Sequence, residues 1–210
     1  MAKKITSLKV QKRNNQRLNV YLDGDFAFGI SRYIAAWLHV GQELTEEKIS
    51  KLLIEDAQET AFQKSIRFIG YRMRTSSEVE RHLRKKGIEH HIISQVIERL
   101  IEKDLLNDMS FAQMWIENRN EFRPRSHRLL ASELRYKGID AEIIQDTLET
   151  TTPEEELAYL AAKRRVRRFE HLEWQDFNRK LSSYLARRGF SYSIIRPVIE
   201  QVWTEKDQAS

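Results

Sequence analysis

Over the first 57 residues, apolar and polar positions alternate in twos. Ile5, Leu8 and Val10 lead into the polar NNQR; Leu18, Val20 and Leu22 alternate up to Asp23-Gly24, after which Phe26, Phe28 and Ile30 alternate again. A period of two puts successive side chains on opposite faces of a strand, and Asp-Gly suits a tight reversal. The pattern predicts a hairpin forming the last two strands of a small three-stranded meander. Three such strands have little core of their own. The helix predicted for TEEKISKLLIEDA, with Thr45 as its N-cap and a glutamate in the first turn, is expected to cover the sheet.

From about residue 58 the alternation stops and the chain reads with helical period. Three stretches then repeat at a spacing of 51 residues: LRKKGIEHHII from residue 83, LRYKGIDAEII from 134 and LARRGFSYSII from 185. On Gly87, Gly138 and Gly189 as reference, Val79, Leu130 and Leu181 stand eight residues before, and Leu83, Leu134 and Leu185 four before. Ile88, Ile139 and Phe190 follow directly. The pairs Ile92-Ile93, Ile143-Ile144 and Ile194-Ile195 come five and six after, and Val96-Ile97, Thr147-Leu148 and Val198-Ile199 nine and ten after.

Apolar residues four apart make one helical stripe, and a glycine with positive φ ends that helix without a Cβ clash. The second stripe makes another helix. The upstream segments AFQKSIRFIGYR, FAQMWIENRNEF and AYLAAKRRVRRF supply a third in each repeat. A three-helix unit of this size is marginal alone, and tandem stacking buries the faces left over. The expected fold is mainly α: three three-helix repeats at residues 58–107, 108–152 and 153–210, in an elongated curved array, preceded by the hairpin and helix of residues 1–57. Pro124 and Pro153 fall in connections, whereas Pro197 lies inside the last helical pattern and is expected to kink it or displace its first turn.

Charge sharpens this picture. The formal net charge is +5, which favours a polyanionic partner but also serves plain solubility. Its distribution is more telling. Arg72–Lys86 carries six basic and two acidic residues, Arg119–Lys137 six and two, and Lys163–Arg188 nine and three. The third helices invert the balance, with five acids against two bases over Glu89–Asp108 and seven against none over Asp140–Glu156. Stacked repeats would therefore show a basic and an acidic flank. Phe68, Tyr71, Trp115, Phe122, Tyr136, Phe169, Trp174 and Tyr184 lie among the basic segments, a mixture that can stack single-stranded bases. Most occupy core spacings and read as packing residues; Tyr136 and Tyr184, off the stripe, are the ones expected at the surface.

Candidate chemistry is sparse. The chain has no cysteine, hence no disulfide or thiolate metal site. It has no phosphate loop, dinucleotide fingerprint or metal-ligand spacing. His90 and His91 diverge by about 100° on a helix and cannot share a metal on one face; His82 and His127 read as surface residues. No serine lies in a nucleophile elbow. The N-terminus lacks a secretory apolar run and no stretch of about 18 apolar residues occurs, so a cytoplasmic protein without enzymatic activity, cofactor or metal is expected.

The KG and RG turns, RMRTSSEVERHL after the first repeat helix, LNDMSFAQMW opening the second unit and SELRYKGI closing its middle helix together resemble the RecX family of bacterial recombination regulators. NVYLDGDFAFGIS is similar to the N-terminal extension of some members. The resemblance implies a non-catalytic protein that binds the RecA recombinase filament, in its helical groove, and typically inhibits strand exchange, ATP hydrolysis and coprotease function in recombination, DNA repair and the SOS response. Charge alone then nominates Arg74, Lys85, Lys86, Arg125, Arg135, Lys137, Arg164, Arg165, Arg167, Arg168, Arg187 and Arg188 as contacts of a protein expected to be monomeric. The alternative is a direct, nonspecific DNA-binding protein that uses the same basic helices.

Overall fold

The alternating positions form β1 (Lys3–Gln11), β2 (Asn14–Leu22) and β3 (Asp25–Ser31) of the computed structural model, which describes residues 2–208. Asp23 and Gly24 both take positive φ, 52° and 100°, the conformation a two-residue hairpin requires. The meander has one strand more than expected. After a 3-10 turn at Ile34–Trp37, β4 (Glu43–Leu44) pairs antiparallel with the start of β1, giving the order β3-β2-β1-β4. Two residues are too few to leave an alternation signal in the sequence. One face of the sheet buries Ile5, Val20, Leu22, Phe28, Ile30 and Leu44.

That face is closed by α1 (Glu46–Ile69), whose Thr45 hydroxyl accepts the Lys48 N–H at 3.2 Å. The sequence suggested two helices here, one over Thr45–Ala57 and another from Ala61. They are one helix of 24 residues, because the intervening Gln58-Glu59-Thr60 contains neither glycine, proline nor an effective stop. The expected boundary at 57/58 therefore falls inside α1. Its N-terminal half packs Ile49 and Leu52 on the sheet, and its C-terminal half gives Ala61 and Phe62 to the first repeat. Buried Asp56 ties the two: it accepts the Ser31 N–H at 2.7 Å and pairs with Arg17 at 2.7 Å, while Arg17 also donates to the Gly29 carbonyl and the Thr60 hydroxyl.

The chain divides into two compact units, one running up to Arg74 and including Glu78–Leu106, the other joining Thr75–Ser77 to the chain from Asn107 onward. In the first, α2 (Ser76–Lys85) and α3 (His90–Glu102) complete a three-helix repeat around Val79, Leu83, Ile93, Val96 and Leu100. The second unit holds two further repeats. One is α4 (Asp108–Phe122), α5 (His127–Tyr136) and α6 (Ala141–Glu149); the other is α7 (Glu154–Val166), α8 (Trp174–Arg187) and α9 (Tyr192–Gln208). Each has its own core. Among the described residues there are thus nine helices, and the aligned positions Val79, Leu130, Leu181, Leu83, Leu134 and Leu185 are all fully buried. Thr147 occupies a valine position in α6 and satisfies its hydroxyl on the Ile143 carbonyl at 2.6 Å.

Gly87, Gly138 and Gly189 close the middle helices with φ of 74°, 80° and 89°. In each case the N–H of the following residue reaches the carbonyl five residues back: Ile88 to Leu83, Ile139 to Leu134 and Phe190 to Leu185, at 3.3, 3.1 and 3.4 Å. Inside the second unit two of these turns also form joints. The Thr75 hydroxyl donates to the Lys137 carbonyl at 2.8 Å, and a Cβ on Gly138 would overlap Ser77. One repeat later the Ser126 N–H donates to the Arg188 carbonyl at 3.0 Å, and a Cβ on Gly189 would overlap Ser126. Pro124 lies between α4 and α5 and Pro153 caps α7. Pro197 sits within α9, where it withholds the donor that the Ser193 carbonyl would otherwise receive.

Two stability tests follow from these contacts. Gly87→Ala meets nothing within 4 Å and should cost about 1 kcal/mol for its left-handed backbone. Gly138→Ala and Gly189→Ala add steric overlap and should cost about 2–4 kcal/mol, read by urea unfolding; equal costs at all three glycines would remove the joint as an explanation. Asp56→Ala strands both the Arg17 guanidinium and the Ser31 N–H and should cost about 2–4 kcal/mol, with Asp56→Asn less severe because one acceptor remains. A near-neutral alanine variant would show that the sheet is held by its apolar contacts alone.

Candidate partner-binding surface

The last turn of each middle helix is where cations are both tolerated and displayed. A helix C-terminus carries partial negative charge from its unpaired carbonyls, which favours lysine and arginine there. Lys85, Lys86, Arg135 and Arg187 occupy these turns and are exposed, as are Arg167 and Arg168 just past α7. Arg164 is exposed too, but its guanidinium is already bonded to the Glu121 carbonyl. It lines an open depression on α7 with Leu160, Lys163 and Arg167.

The other five cations are half-buried and have internal work. Arg125 and Arg119 converge on Glu133, whose carboxylate also accepts the Trp115 indole N–H at 2.9 Å. The Lys137 ammonium lies 5.0 Å above the Trp115 ring. Arg188 donates to the Pro124 carbonyl at 2.9 Å and lies 4.7 Å over Tyr184, whose ring Arg165 also approaches at 5.3 Å. Arg74 lies 4.0 Å over Phe68. Burial, followed by the neighbouring Arg72, pulls the Arg74 pKa below the ordinary arginine value, and Glu78 opposes them. A cation stacked on an aromatic, or bonded to a carboxylate or a backbone carbonyl, holds the fold, so charge counting brought together two populations that the fold separates.

The aromatic assignments also change. Tyr136 is exposed as expected, but Tyr184 packs on the third core beneath two arginines. Tyr71 and Phe122, read as packing residues, are 86% and 65% exposed. They occupy equivalent positions, sixteen residues before Gly87 and Gly138: Tyr71 lies just past α1 and Phe122 is the last residue of α4, where the helical stripe ends. The 3-10 turn adds Tyr33 and Trp37, exposed by 72% and 87%, which periodicity did not single out.

Two histidines read as surface residues are held within the fold. His127 donates its backbone N–H to Glu154 at 2.8 Å, and its ring Nε2 lies 3.0 Å from the Thr152 carbonyl. His82 stacks on Phe68 with centroids 4.0 Å apart and rings 7° from parallel. Burial first, then Lys86, Arg74, Lys64 and Lys85, pulls its pKa below the usual histidine value. Asp108 moves the other way: burial raises its pKa, against the Ser76 N–H that it accepts at 2.9 Å.

An open groove of about 580 Å³ runs between α5 and α6, floored by Ala131, Ile144, Leu148 and Pro153 and edged by Arg135 and Glu149. Among the described residues no cluster of three or more metal-ligating side chains occurs, and no helix is long and apolar enough to cross a membrane. The surface therefore offers fixed charge and exposed aromatic rings.

Comparison with known proteins matches the N-terminal sheet and each of the three helical repeats. Residues 3–45 match the regulatory protein RecX N-terminal domain, and residues 61–100, 107–148 and 153–199 match the first, second and third three-helix domains of RecX. A regulatory protein RecX from Bacillus velezensis is 31% identical, across 97% of this chain and 79% of its own length. Its counterpart from Bacillus subtilis is 29% identical across 97% of this chain and 79% of its own. A crystal structure of regulatory protein RecX superposes with a TM-score of 0.74 at 26% identity, covering 94% of this chain and 99% of that one. RecX from Lactobacillus salivarius gives 0.63 at 28% identity over 70% and 97%. With its N-terminal sheet and all three helical repeats matched in order, the chain belongs to the RecX family of regulatory proteins.

Proposed function

We propose that this chain is a non-catalytic regulator that binds the RecA recombinase filament, in its helical groove, and inhibits its ATPase, strand-exchange and coprotease activities during recombination, DNA repair and the SOS response. The observation that carries this reading is the family match along the whole chain. The exposed cations supply a means. Lys85 and Lys86 in the first repeat, Arg135 in the second and Arg167, Arg168 and Arg187 in the third are the contacts assigned to a filament that carries DNA phosphates. The half-buried Arg74, Arg125, Lys137, Arg165 and Arg188 support these surfaces from within. Residues 58–107, 108–152 and 153–210 act as three presenting units, with residues 1–57 bracing the first, in a cytoplasmic monomer that needs no cofactor.

A second reading, direct nonspecific DNA binding, is favoured by one feature: Tyr71, Phe122 and Tyr136 are exposed rings beside Arg72, Arg123 and Arg135. Salt separates the two. Binding through six or more phosphates weakens by about three orders of magnitude between 50 and 200 mM salt, whereas docking on a nucleotide-bound protein filament is less sensitive.

The test is ATP hydrolysis by RecA on single-stranded DNA, titrated with this protein below stoichiometry, with binding to free DNA measured in the same buffer. Inhibition at low ratio is expected, and the quadruple variant K85E/K86E/R167E/R168E should need at least about tenfold more protein for half inhibition, a loss of about 1.4 kcal/mol. Inhibition that appears only once the DNA is saturated would transfer the function to strand competition. An unchanged quadruple variant would take these four cations out of the interface.

A further inference from the structure

The three repeats place different residues five positions before the turn glycine: His82, Glu133 and Tyr184. In the second repeat this position is the hub of a cation cluster. Glu133, 16% exposed at its side chain, accepts from Trp115, Arg119 and Arg125. The first repeat carries the same ingredients at the same alignment. Arg74 and Lys86 stand where Arg125 and Lys137 stand, and the pair Trp115, Arg119 on the first helix becomes Lys64, Phe68, the aromatic and the cation having exchanged places. Only the central carboxylate has no counterpart, and in its place His82 lies flat on Phe68.

The charge balance is correspondingly open. The charged groups acting on His82 are Lys86, Arg74, Lys64 and Lys85, all cations. Arg74 has a buried Nε without a hydrogen-bond partner. Its nearest anion, Glu78, stands at 3.9 Å, with its two oxygens already held by Arg72 at 3.0 and 3.1 Å. A buried guanidinium edge without an acceptor loses solvation that nothing in the repeat returns. An anion arriving at His82 would meet Lys64, Arg74 and Lys86 at the positions of Trp115, Arg125 and Lys137, with Phe68 in place of Arg119.

We propose that the first repeat holds a docking pocket for a carboxylate side chain of an acidic protein segment, formed by Lys64, Arg74, His82 and Lys86 around Phe68. The second repeat is the template: there the group seated among the cations is a carboxylate, delivered on a side chain to half-buried donors. A carboxylate reaching the pocket also lowers the repulsion on the imidazole, so His82 takes up a proton more readily when the pocket is filled. The pocket rests on the recombinase reading only for which protein supplies the acid.

The binding measurement uses the full chain and no recombinase. Proton and nitrogen NMR follows the His82 ring and the amides of residues 64–86 while a blocked pentaglutamate peptide or a five-phosphate oligothymidylate is added. The peptide should shift these signals and move the His82 titration upward. His82→Glu, which copies Glu133 into the first repeat, should weaken the peptide at least tenfold without lowering the melting temperature. Lys64→Gln/Lys86→Gln, changed at the rim, should weaken it about fivefold and serves if His82→Glu unfolds. Peptide shifts that survive both variants, or that lie elsewhere, overturn the pocket. Shifts with the oligonucleotide alone make it a phosphate site and overturn the carboxylate. A silent peptide with ATPase inhibition intact removes the pocket and leaves the proposed function; a bound peptide without ATPase inhibition does the reverse.

Discussion

A helix that must stop where another chain segment presses against it has few residues that can end it, and this constraint organises the helical part of the molecule. Gly138 and Gly189 supply positive φ and, lacking a Cβ, let Ser77 and Ser126 approach the turn. The close approach brings backbone groups into register: Thr75 reaches the Lys137 carbonyl and the Ser126 amide reaches that of Arg188. The same residue thus ends a helix and admits a neighbour. Gly87 has the same φ with open space around it, which separates the two duties: the turn needs glycine everywhere, the joint only where a segment is seated on it.

Around those turns the repeats keep separate cores and diverge in their polar fittings. Buried leucines at aligned positions set the packing, while the half-buried position one residue before the second of them carries a histidine, a glutamate or a tyrosine. Apolar packing tolerates such variation because it is non-directional. Each polar group, by contrast, needs specific partners, so the neighbourhoods of His82, Glu133 and Tyr184 differ although the helices beneath them do not. One architecture can therefore present three different surfaces.

The helical repeats were legible because their signal is long and triplicated: Leu83, Leu134 and Leu185 share one spacing and one fate. The hairpin was legible from Asp23-Gly24 between two alternating runs. Less visible were features with no periodic signature. β4 spans two residues, and α1 runs through Gln58-Glu59-Thr60, where the change of packing partner from sheet to repeat alters which face is apolar without breaking the helix. The candidate cations were found as a class but not sorted, since the difference between Lys85 in solvent and Arg188 on a backbone carbonyl arises from residues 64 positions apart in the chain. Tyr71 and Phe122 were misjudged for a related reason: a stripe extrapolated to the last residue of its helix, or past it, no longer says which way a side chain faces.

The continuity of α1 has a thermodynamic side. Its first turns close the sheet and its last turns close the first repeat, with Asp56 and Arg17 fixing the sheet near its midpoint. Helical order propagates along a chain far more easily than it nucleates, so loosening at either end removes a template from the other. The sheet, with only seven residues in its buried cluster, is too small to persist alone, and it borrows cooperativity from a helix nucleated by a different core. Hydrogen exchange in β1 to β3 should accordingly follow opening of the whole first unit, with the N-terminal strands sharing its foldon.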